Sequence, residues 1–175
     1  MALEMSGRMT ADERNAIERF PRIAEEFCHL IDACDKRNRK QLVQDLAVHL
    51  AKLCEVAVRL PWVEPATEDI DNTPEAVAAH TGEWVKLSNN LRQIFGPLDK
   101  YWEVFDPMEK EEPVSCSLAI DIAEIYLDLK DALKLPESGV ALNDIHWDWR
   151  FDFHGHWSRH ASSALKVLLH ISDLA

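Results

Sequence analysis

The chain has 175 residues, 47% of them apolar, and a net charge of −12. This length suffices for one domain with a closed hydrophobic core. The acidic surface argues against a general nucleic-acid partner because it repels phosphate backbones. The longest apolar runs are far too short to span a membrane, and the N-terminus lacks the pattern of a signal peptide. We therefore expect a cytoplasmic protein with neither a nucleic-acid nor a membrane partner, with a flexible tail at residues 1–9 and a single domain at 10–175.

The first predicted helix begins at Thr10, which with Glu13 has the spacing of a capping box. Apolar residues at helical spacing carry it to about residue 35: Ile17, Phe20, Ile23, Ala24, Phe27, Leu30, Ile31 and Cys34. Pro21 lies inside this run. We expect it either to kink the helix or to mark a second helix start.

A second helix is predicted over residues 39–60, ended by Pro61. Its buried stripe comprises Leu42, Val43, Leu46, Leu50, Leu53, Cys54 and Ala57, widened by Val48, Val56 and Val58. A loop containing Glu68 and Asp69 follows. Thr73 and Pro74 then have the order of an N-cap and a first helical residue. They predict a third helix that stops at Gly96.

Residues 99–107 are predicted to form a short turn or helix packed by its aromatic side chains, and residues 108–114 a charged loop. Ser115 or Ser117 can cap a fourth helix that reaches about Leu133. Ile120 and Leu127 lie nearly opposite its main apolar face, and a helix that is apolar on two sides is usually central. An acidic stripe runs between the two apolar sides: Asp121, Glu124, Asp128 and Asp131.

The stretch 146–160 concentrates three of the six tryptophans and four of the eight histidines. Its aromatics alternate as in a strand, but no partner strand is evident, so we predict a helix with a break near Gly155. As a helix it pairs Trp147 with Phe151 and Trp149 with Phe153, each four apart. The following segment is expected to bury Trp157, Ala161, Ala164, Leu165, Leu168 and Leu169.

These elements predict an all-α fold, an irregular bundle of five or six helices in which helix 4 and the C-terminal helical segment are central. The cysteines have no C-x-x-C spacing, which indicates reduced core residues: Cys28, Cys34, Cys54 and Cys116. The one basic run, residues 36–40, could bind a phosphate; a solvated loop beside the end of helix 1 is the favoured interpretation.

The main candidate site is His156 and His160, which are four apart and so share one helical face, the spacing that two imidazoles need to bind one metal ion. Helix 4 could supply carboxylates from Asp121, Glu124 and Asp128. The alternative, which we favour, is a core in which aspartates and histidines satisfy one another by hydrogen bonds. Other polar or aromatic residues are expected around this cluster: Tyr126, Trp149, Arg150 and Trp157.

Other cofactors find less support in the sequence. A di-iron bundle needs two E-x-x-H motifs, and only Glu26 with His29 supplies one. The acids of helix 4 could hold magnesium, but no glycine-rich phosphate loop accompanies them. No G-x-S-x-G motif or Cys/His pairing points to nucleophilic catalysis. No cofactor is therefore predicted, and a divalent metal is left open.

Three segments carry a family resemblance: residues 101–107, residues 117–130, and residues 147–160 with His156, Trp157 and His160. They resemble a bacterial family of unknown function, the domain-of-unknown-function family numbered 5063. The resemblance implies a compact all-α bacterial domain and no particular activity. Ser158 stands where that family often has glycine, and Ile120 where a second acid is common, which weakens a metal interpretation of helix 4.

Two function classes follow from these observations. The first, which we favour, is a non-catalytic interaction or regulatory domain with an acidic surface and a protein partner. The second is a metal- or small-ligand-binding protein, or a metal-dependent hydrolase, that uses the acids of helix 4 and the His156/His160 pair. Whether the protein is an enzyme, and its oligomeric state, are left open by the sequence.

Overall fold

Six α-helices and one short hairpin make up the part of the chain that the computed structural model describes, residues 9–66 and 74–174, with residues 74–80 described by backbone only. The helices are α1 Ala11–Asp32, α2 Arg39–Ala57, α3 Pro74–Phe95, α4 Leu118–Lys134, α5 Leu142–Asp152 and α6 Ser158–Ile171. The strands are β1 Lys100–Glu103 and β2 Val114–Ser117. Phe153–Trp157, here called the π-turn, joins α5 to α6. The predicted all-α class is confirmed, with the hairpin as an addition.

Helix α1 begins at the predicted capping box. The Thr10 amide donates to the Glu13 carboxylate at 2.7 Å, and the Glu13 amide donates to the Thr10 hydroxyl at 3.2 Å. The helix continues through Pro21 without interruption, so the alternative of a second helix start was wrong. Its apolar face is buried against α2 and α4, as the helical spacing predicts.

Helix α4 is central because α1, α3 and α6 all pack against it. Its start is fixed by Asp99, a buried carboxylate just before β1. This carboxylate accepts hydrogen bonds from the Ser117 hydroxyl at 2.9 Å and from the Ala119 amide at 2.9 Å. Ser117 is the N-cap, one of the two predicted candidates. The same residues therefore close the hairpin and orient the first turn of α4.

Residues 99–107 were predicted to form a short turn or helix, whereas Lys100–Glu103 form strand β1. β1 pairs antiparallel with β2, with Lys100 opposite Ser117 and Glu103 opposite Val114. The predicted packing by aromatics holds only for Tyr101, which packs against the core, because Trp102 and Phe105 are 70% and 71% exposed. Strands of four residues are too short to show a convincing alternation in sequence.

The C-terminal stretch is helical, as predicted, and the expected break near Gly155 is the π-turn. Trp149 does not pair with Phe153. Instead its ring packs against Phe20 with centroids 5.0 Å apart, and its indole N–H donates to the Ala132 carbonyl at 3.0 Å. Phe153 packs edge-on against Trp157 at 4.6 Å.

Several residues predicted to be buried are exposed instead. Val48 of α2 and Val58, the C-cap of that helix, face solvent, because the buried stripe needs only one side of α2. On α6, Leu169 is exposed, and Phe151 of α5 is 54% exposed while stacking on Trp147 at 4.6 Å. Helix α5 is therefore not buried on two faces.

Cys28, Cys34, Cys54 and Cys116 are all free. Helix α3 ends at Phe95, next to Gly96, as predicted. The predictions for residues 1–8 of the tail, for the acids at 68 and 69 and for the N-cap at 73 lie outside the described residues. None of the described helices is long and apolar enough to cross a membrane.

Candidate functional site

Two rows of ionisable side chains meet between α4 and the C-terminal helices, and we call this region the ionisable seam. One row comprises Asp121, Glu124, Asp128 and Asp131 of α4, and the other Asp148, Asp152, His156 and His160. In a straight α-helix a step of four residues overshoots one turn by about 40°. The wider π-turn offsets part of this drift between Asp152 and His156, so the second row stays facing α4.

His160 is held by a hydrogen-bonded chain that starts in the hairpin. The Tyr101 hydroxyl donates to Asp121 Oδ2 at 2.6 Å, and Asp121 Oδ1 lies 2.9 Å from His160 Nδ1. Asp121 is buried, and its hydrogen bond raises the pKa of His160. Burial and the hydrogen bond to Asp121 raise the pKa of Tyr101. Tyr101 therefore stays a donor, and Asp121 orients both of its partners.

His156 forms a second, more open pair. Its Nδ1 lies 2.6 Å from Asp128 Oδ2, and the two side chains are 45% and 21% exposed. Burial raises the pKa of Asp128, although its hydrogen bond with His156 acts in the opposite direction. The two imidazoles lie close together, with ring centroids 5.2 Å apart and planes at 72°.

Both Asp–His pairs use Nδ1 of the imidazole, so Nε2 of each ring takes no part in its pair. A proton on Nδ1 is donated to the aspartate, so Nε2 keeps its lone pair in the neutral ring. The predicted Asp–His pairing is present, but neither pair is sealed, because the His156 and His160 side chains are 45% and 28% exposed. Each pair can thus hold an imidazole in a fixed tautomer with its outer nitrogen accessible.

Asp148 and Asp152 add half-buried negative charge at the other end of the seam. Burial and then Asp128 raise the pKa of Asp148 to about 6. Burial, followed by Asp148 and Asp128, raises that of Asp152 to about 7. Neither carboxylate has a hydrogen bond or ion pair with another described residue. Neither residue was among the predicted site residues, although their spacing of four residues continues that of His156 and His160.

The seam brings together five of the predicted site residues: His156, His160, Asp121, Glu124 and Asp128. Glu124 lies on α4 between the two aspartates, and its charge raises the pKa of both His160 and Asp128. In residues 9–66 and 74–174, no group of three or more His, Cys, Asp or Glu side chains is arranged to hold a metal ion.

The other four predicted cluster residues lie elsewhere. Tyr126 points toward α1, where its hydroxyl donates to Asp32 at 2.6 Å. Arg150 donates to the Leu60 carbonyl, and its guanidinium lies 5.4 Å from the centre of the Trp62 ring. Trp149 and Trp157 are in the hydrophobic core. These residues shape and stabilise the bundle and do not face the seam.

A cleft of about 410 Å³ opens beside His160, between the hairpin and helices α4 and α6. Its lining includes Lys100, Tyr101, Asp121, Arg159, His160 and Ser163. Of these residues, only Asp121 and His160 were predicted to belong to a site. The position of Arg159 next to His160 was a local signal for its inclusion, whereas Lys100 and Tyr101 arrive through hairpin pairing.

The family described as "Domain of unknown function (DUF5063)" matches residues 11–173. The chain belongs to this family. This DUF5063 chain resembles the crystal structure of protein BF1032 from Bacteroides fragilis, with a TM-score of 0.70 over 89% of this chain and 91% of that one. At 21% identity this likeness shows the fold alone. No curated protein matches the chain. The predicted resemblance is confirmed, and the DUF5063 description assigns no function.

Proposed function

We propose that this protein binds a divalent transition-metal ion, zinc foremost, through Nε2 of His156 and Nε2 of His160. The observation that carries the proposal is that α4 carboxylates hold both rings at Nδ1. Histidines that bind metals almost always donate their other ring N–H to a carboxylate, a carbonyl or water. Here two histidines on one helical face share that arrangement.

The ring separation supports a shared ion. Two imidazoles bound to zinc with Zn–N distances of about 2.0–2.1 Å in tetrahedral geometry place their ring centroids about 5 Å apart. The centroids of His156 and His160 are 5.2 Å apart. Imidazole nitrogen is a ligand suited to zinc, copper, nickel and iron, whereas magnesium prefers oxygen.

The structure favours different roles for the three acids that the sequence offered as ligands. Asp121 and Asp128 are committed to Nδ1 of the two histidines, so we assign them to orient the rings. Glu124 lies between them with no partner among the described residues, and we assign it as the third ligand. Its side chain must rotate to reach the ion, because no three-ligand group is preformed among the residues described.

Calorimetric titration of chelator-treated protein with zinc tests this proposal. We expect one ion per chain, and at least tenfold weaker binding in His156→Ala and in His160→Ala. His154→Ala is the matched control, because His154 is exposed on the same π-turn and has no bond to α4. Unchanged zinc affinity in both seam variants, or no saturable binding by the unaltered protein, would overturn the proposal.

Further variants separate the ligand from the orienting groups. Asp121→Asn and Asp128→Asn should weaken zinc binding by about 10–100-fold, the usual effect of losing an outer-shell partner. Glu124→Gln should weaken zinc binding and leave the near-ultraviolet circular dichroism of the apoprotein unchanged. Magnesium should bind none of these proteins measurably, since two imidazoles disfavour it.

A second candidate, the interaction domain favoured by the sequence, is supported by the hairpin. Trp102, Phe105 and Met108 are 70–89% exposed, and large exposed apolar side chains in one place mark docking surfaces. The connecting loop adds the acids Glu111 and Glu112. Reproducible co-purification of one protein that is lost in a Trp102→Ala/Phe105→Ala variant would support this function. Retention of the same protein by that variant would count against it.

We also propose a cytoplasmic location. All four cysteines are free, which suits a reducing compartment. Fractionation of the source cell with an antibody to the protein tests this location, and recovery outside the cytoplasmic fraction would contradict it.

A further inference from the structure

The cleft beside His160 has the size of a small-ligand site. Its volume of about 410 Å³ lies within the usual range of roughly 300–1,000 Å³ for such sites. Three elements form its walls: β1 with Lys100 and Tyr101, the start of α4 with Asp121, and α6 with Arg159 and Ser163. A molecule bound here would contact the hairpin and two helices at once.

The acids of the cleft are already satisfied by other side chains. Asp121 accepts one hydrogen bond from the Tyr101 hydroxyl and pairs with His160. Glu103 accepts two hydrogen bonds from Lys166, each of 3.1 Å. Neither carboxylate is therefore available as the main partner of a cationic ligand.

The cations of the cleft, in contrast to its acids, have no ion-pair partners among the described residues. Lys100 and Arg159 form no ion pair with any residue that the structure describes. Both side chains are exposed, and both line the same cleft. Arginine binds a carboxylate through two parallel N–H···O bonds, so an unpaired arginine at a cleft wall suits an anionic group.

The remaining lining indicates what else the ligand carries. Ser115 and Ser163 offer hydroxyls, whereas Phe105 and Ile120 offer apolar surface. A cleft lined by both apolar and cationic side chains matches a molecule with an apolar body and an anionic end.

We propose that the cleft binds a small organic carboxylate with an apolar or aromatic body, with the guanidinium of Arg159 and the ammonium of Lys100 at the carboxylate and Phe105 and Ile120 against the body. The cleft borders His160 of the metal proposal, but the groups that would hold the anion, Arg159 and Lys100, are not among the proposed metal ligands. Its test is therefore carried out on chelator-treated protein, and a failure of zinc binding does not affect it.

The test uses three probes of similar size: benzoate, neutral benzamide and cationic benzylamine. Binding of each probe to the full chain is monitored by nuclear magnetic resonance. We expect benzoate to shift the amide signals of Arg159 and Lys100 saturably, and benzamide to bind at least tenfold more weakly, since hydrogen bonds between charged groups are stronger than those to a neutral amide. Benzylamine should not bind. Equal affinity for benzoate and benzamide would contradict the proposed role of the cations. Tighter binding of inorganic phosphate than of benzoate would contradict the proposal that the ligand has an apolar body.

Two pairs of variants locate the site. Arg159→Gln should weaken benzoate binding at least tenfold, whereas Arg22→Gln, in an exposed ion pair on α1, should not change it. Ser163→Leu should fill the cleft and abolish binding, whereas Ser162→Leu, exposed on the same helix, should leave it intact. Circular dichroism confirms that each variant is folded. Undiminished benzoate binding in both folded Arg159→Gln and Ser163→Leu would contradict the assignment.

Discussion

The C-terminal helical segment carries two rows of side chains that differ in how completely their neighbours satisfy them. The aromatic row, Trp149, Phe153 and Trp157, is at most 6% exposed, and the Trp149 indole N–H has its acceptor. The ionisable row, Asp148, Asp152, His156 and His160, is half-buried, and its two carboxylates have no hydrogen-bond or ion-pair partner among the described residues. A core is stabilised when every buried polar group in it has a hydrogen-bond partner. A buried polar row in which some groups lack partners lowers stability, and such rows are typical of binding sites.

Both rows step by four residues, and both pass through the π-turn. Trp157 ends that turn in the core, while His156, one residue earlier, reaches Asp128 on α4. The single wide turn therefore serves stability on one side and the candidate site on the other. π-Helical turns inside α-helices are frequent at functional sites.

The largest effect is expected from truncating the aromatic row. Trp157→Ala should lower the free energy of unfolding by about 3–5 kcal/mol, because it leaves a large cavity in a packed core. Trp157 is 1% exposed and contacts Phe153. Urea unfolding measures this loss, with Trp102→Ala, 70% exposed, as the matched control expected within about 0.5 kcal/mol of the parent protein. A loss below about 1 kcal/mol for Trp157→Ala would contradict its place in the core.

A second variant alters both rows together. Deletion of Gly155 removes one residue from the π-turn and rotates α6 by about 100° relative to α5, so Trp157 and His156 cannot both keep their partners. We expect a loss of about 2–4 kcal/mol in unfolding free energy and loss of zinc binding. Gly155→Ala should be tolerated and slightly stabilising, because no atom lies within 4 Å of the added Cβ. Zinc binding by the deletion variant equal to that of Gly155→Ala would show that the π-turn has no role in the site.

The features of the two rows that depend on local spacing could be predicted from the sequence. His156 and His160, and the acids Asp121 and Asp128, follow helical periodicity, so their shared faces could be read directly. The π-turn could not be distinguished from an ordinary helix break, since Gly155 is consistent with both. Phe151 is exposed for a reason outside its own sequence, namely that no other element covers that side of α5 in the described fold.

The cleft depends on long-range pairing and was therefore missed. Tyr101 reaches Asp121 only because β1 pairs with β2, which places Lys100 opposite Ser117 at the start of α4. Four-residue strands with exposed aromatics have no period that separates them from a turn. Arg159 was adjacent to a predicted site residue, but adjacency along a helix does not show which neighbour shares its cleft.

An intermediate effect is expected from the hydrogen bond between the hairpin and the seam. Tyr101→Phe removes the O–H that donates to the buried carboxylate of Asp121 and should cost about 1–2 kcal/mol of unfolding free energy. Tyr126→Phe is the matched control: its hydroxyl donates at the same 2.6 Å to Asp32, which is exposed, so its loss should cost less. Equal losses by urea unfolding would mean that burial of Asp121 adds nothing to this bond.

The last effect is the pH dependence contributed by the ionisable row. The pKa values of Asp148 and Asp152 are raised to about 6 and about 7, so the folded chain binds protons more tightly there than the unfolded chain. Their contribution to stability is therefore fully present below the unfolded pKa of about 4 and lost as pH rises through about 6 to 7. The groups facing them are Asp128 and Asp131 on α4 and His156 on the π-turn.

Asp152→Asn should flatten this part of the pH profile. In chelator-treated protein, urea unfolding at about pH 5 and about pH 8 should show a smaller difference in the variant than in the parent, with the variant more stable at the higher pH. Glu111→Gln, an exposed acid in the hairpin loop, should leave the difference unchanged. If Asp152→Asn instead lowers stability at about pH 8, the carboxylate has a favourable partner in the folded chain, and the contrast between the satisfied aromatic row and the unsatisfied ionisable row does not hold at this position.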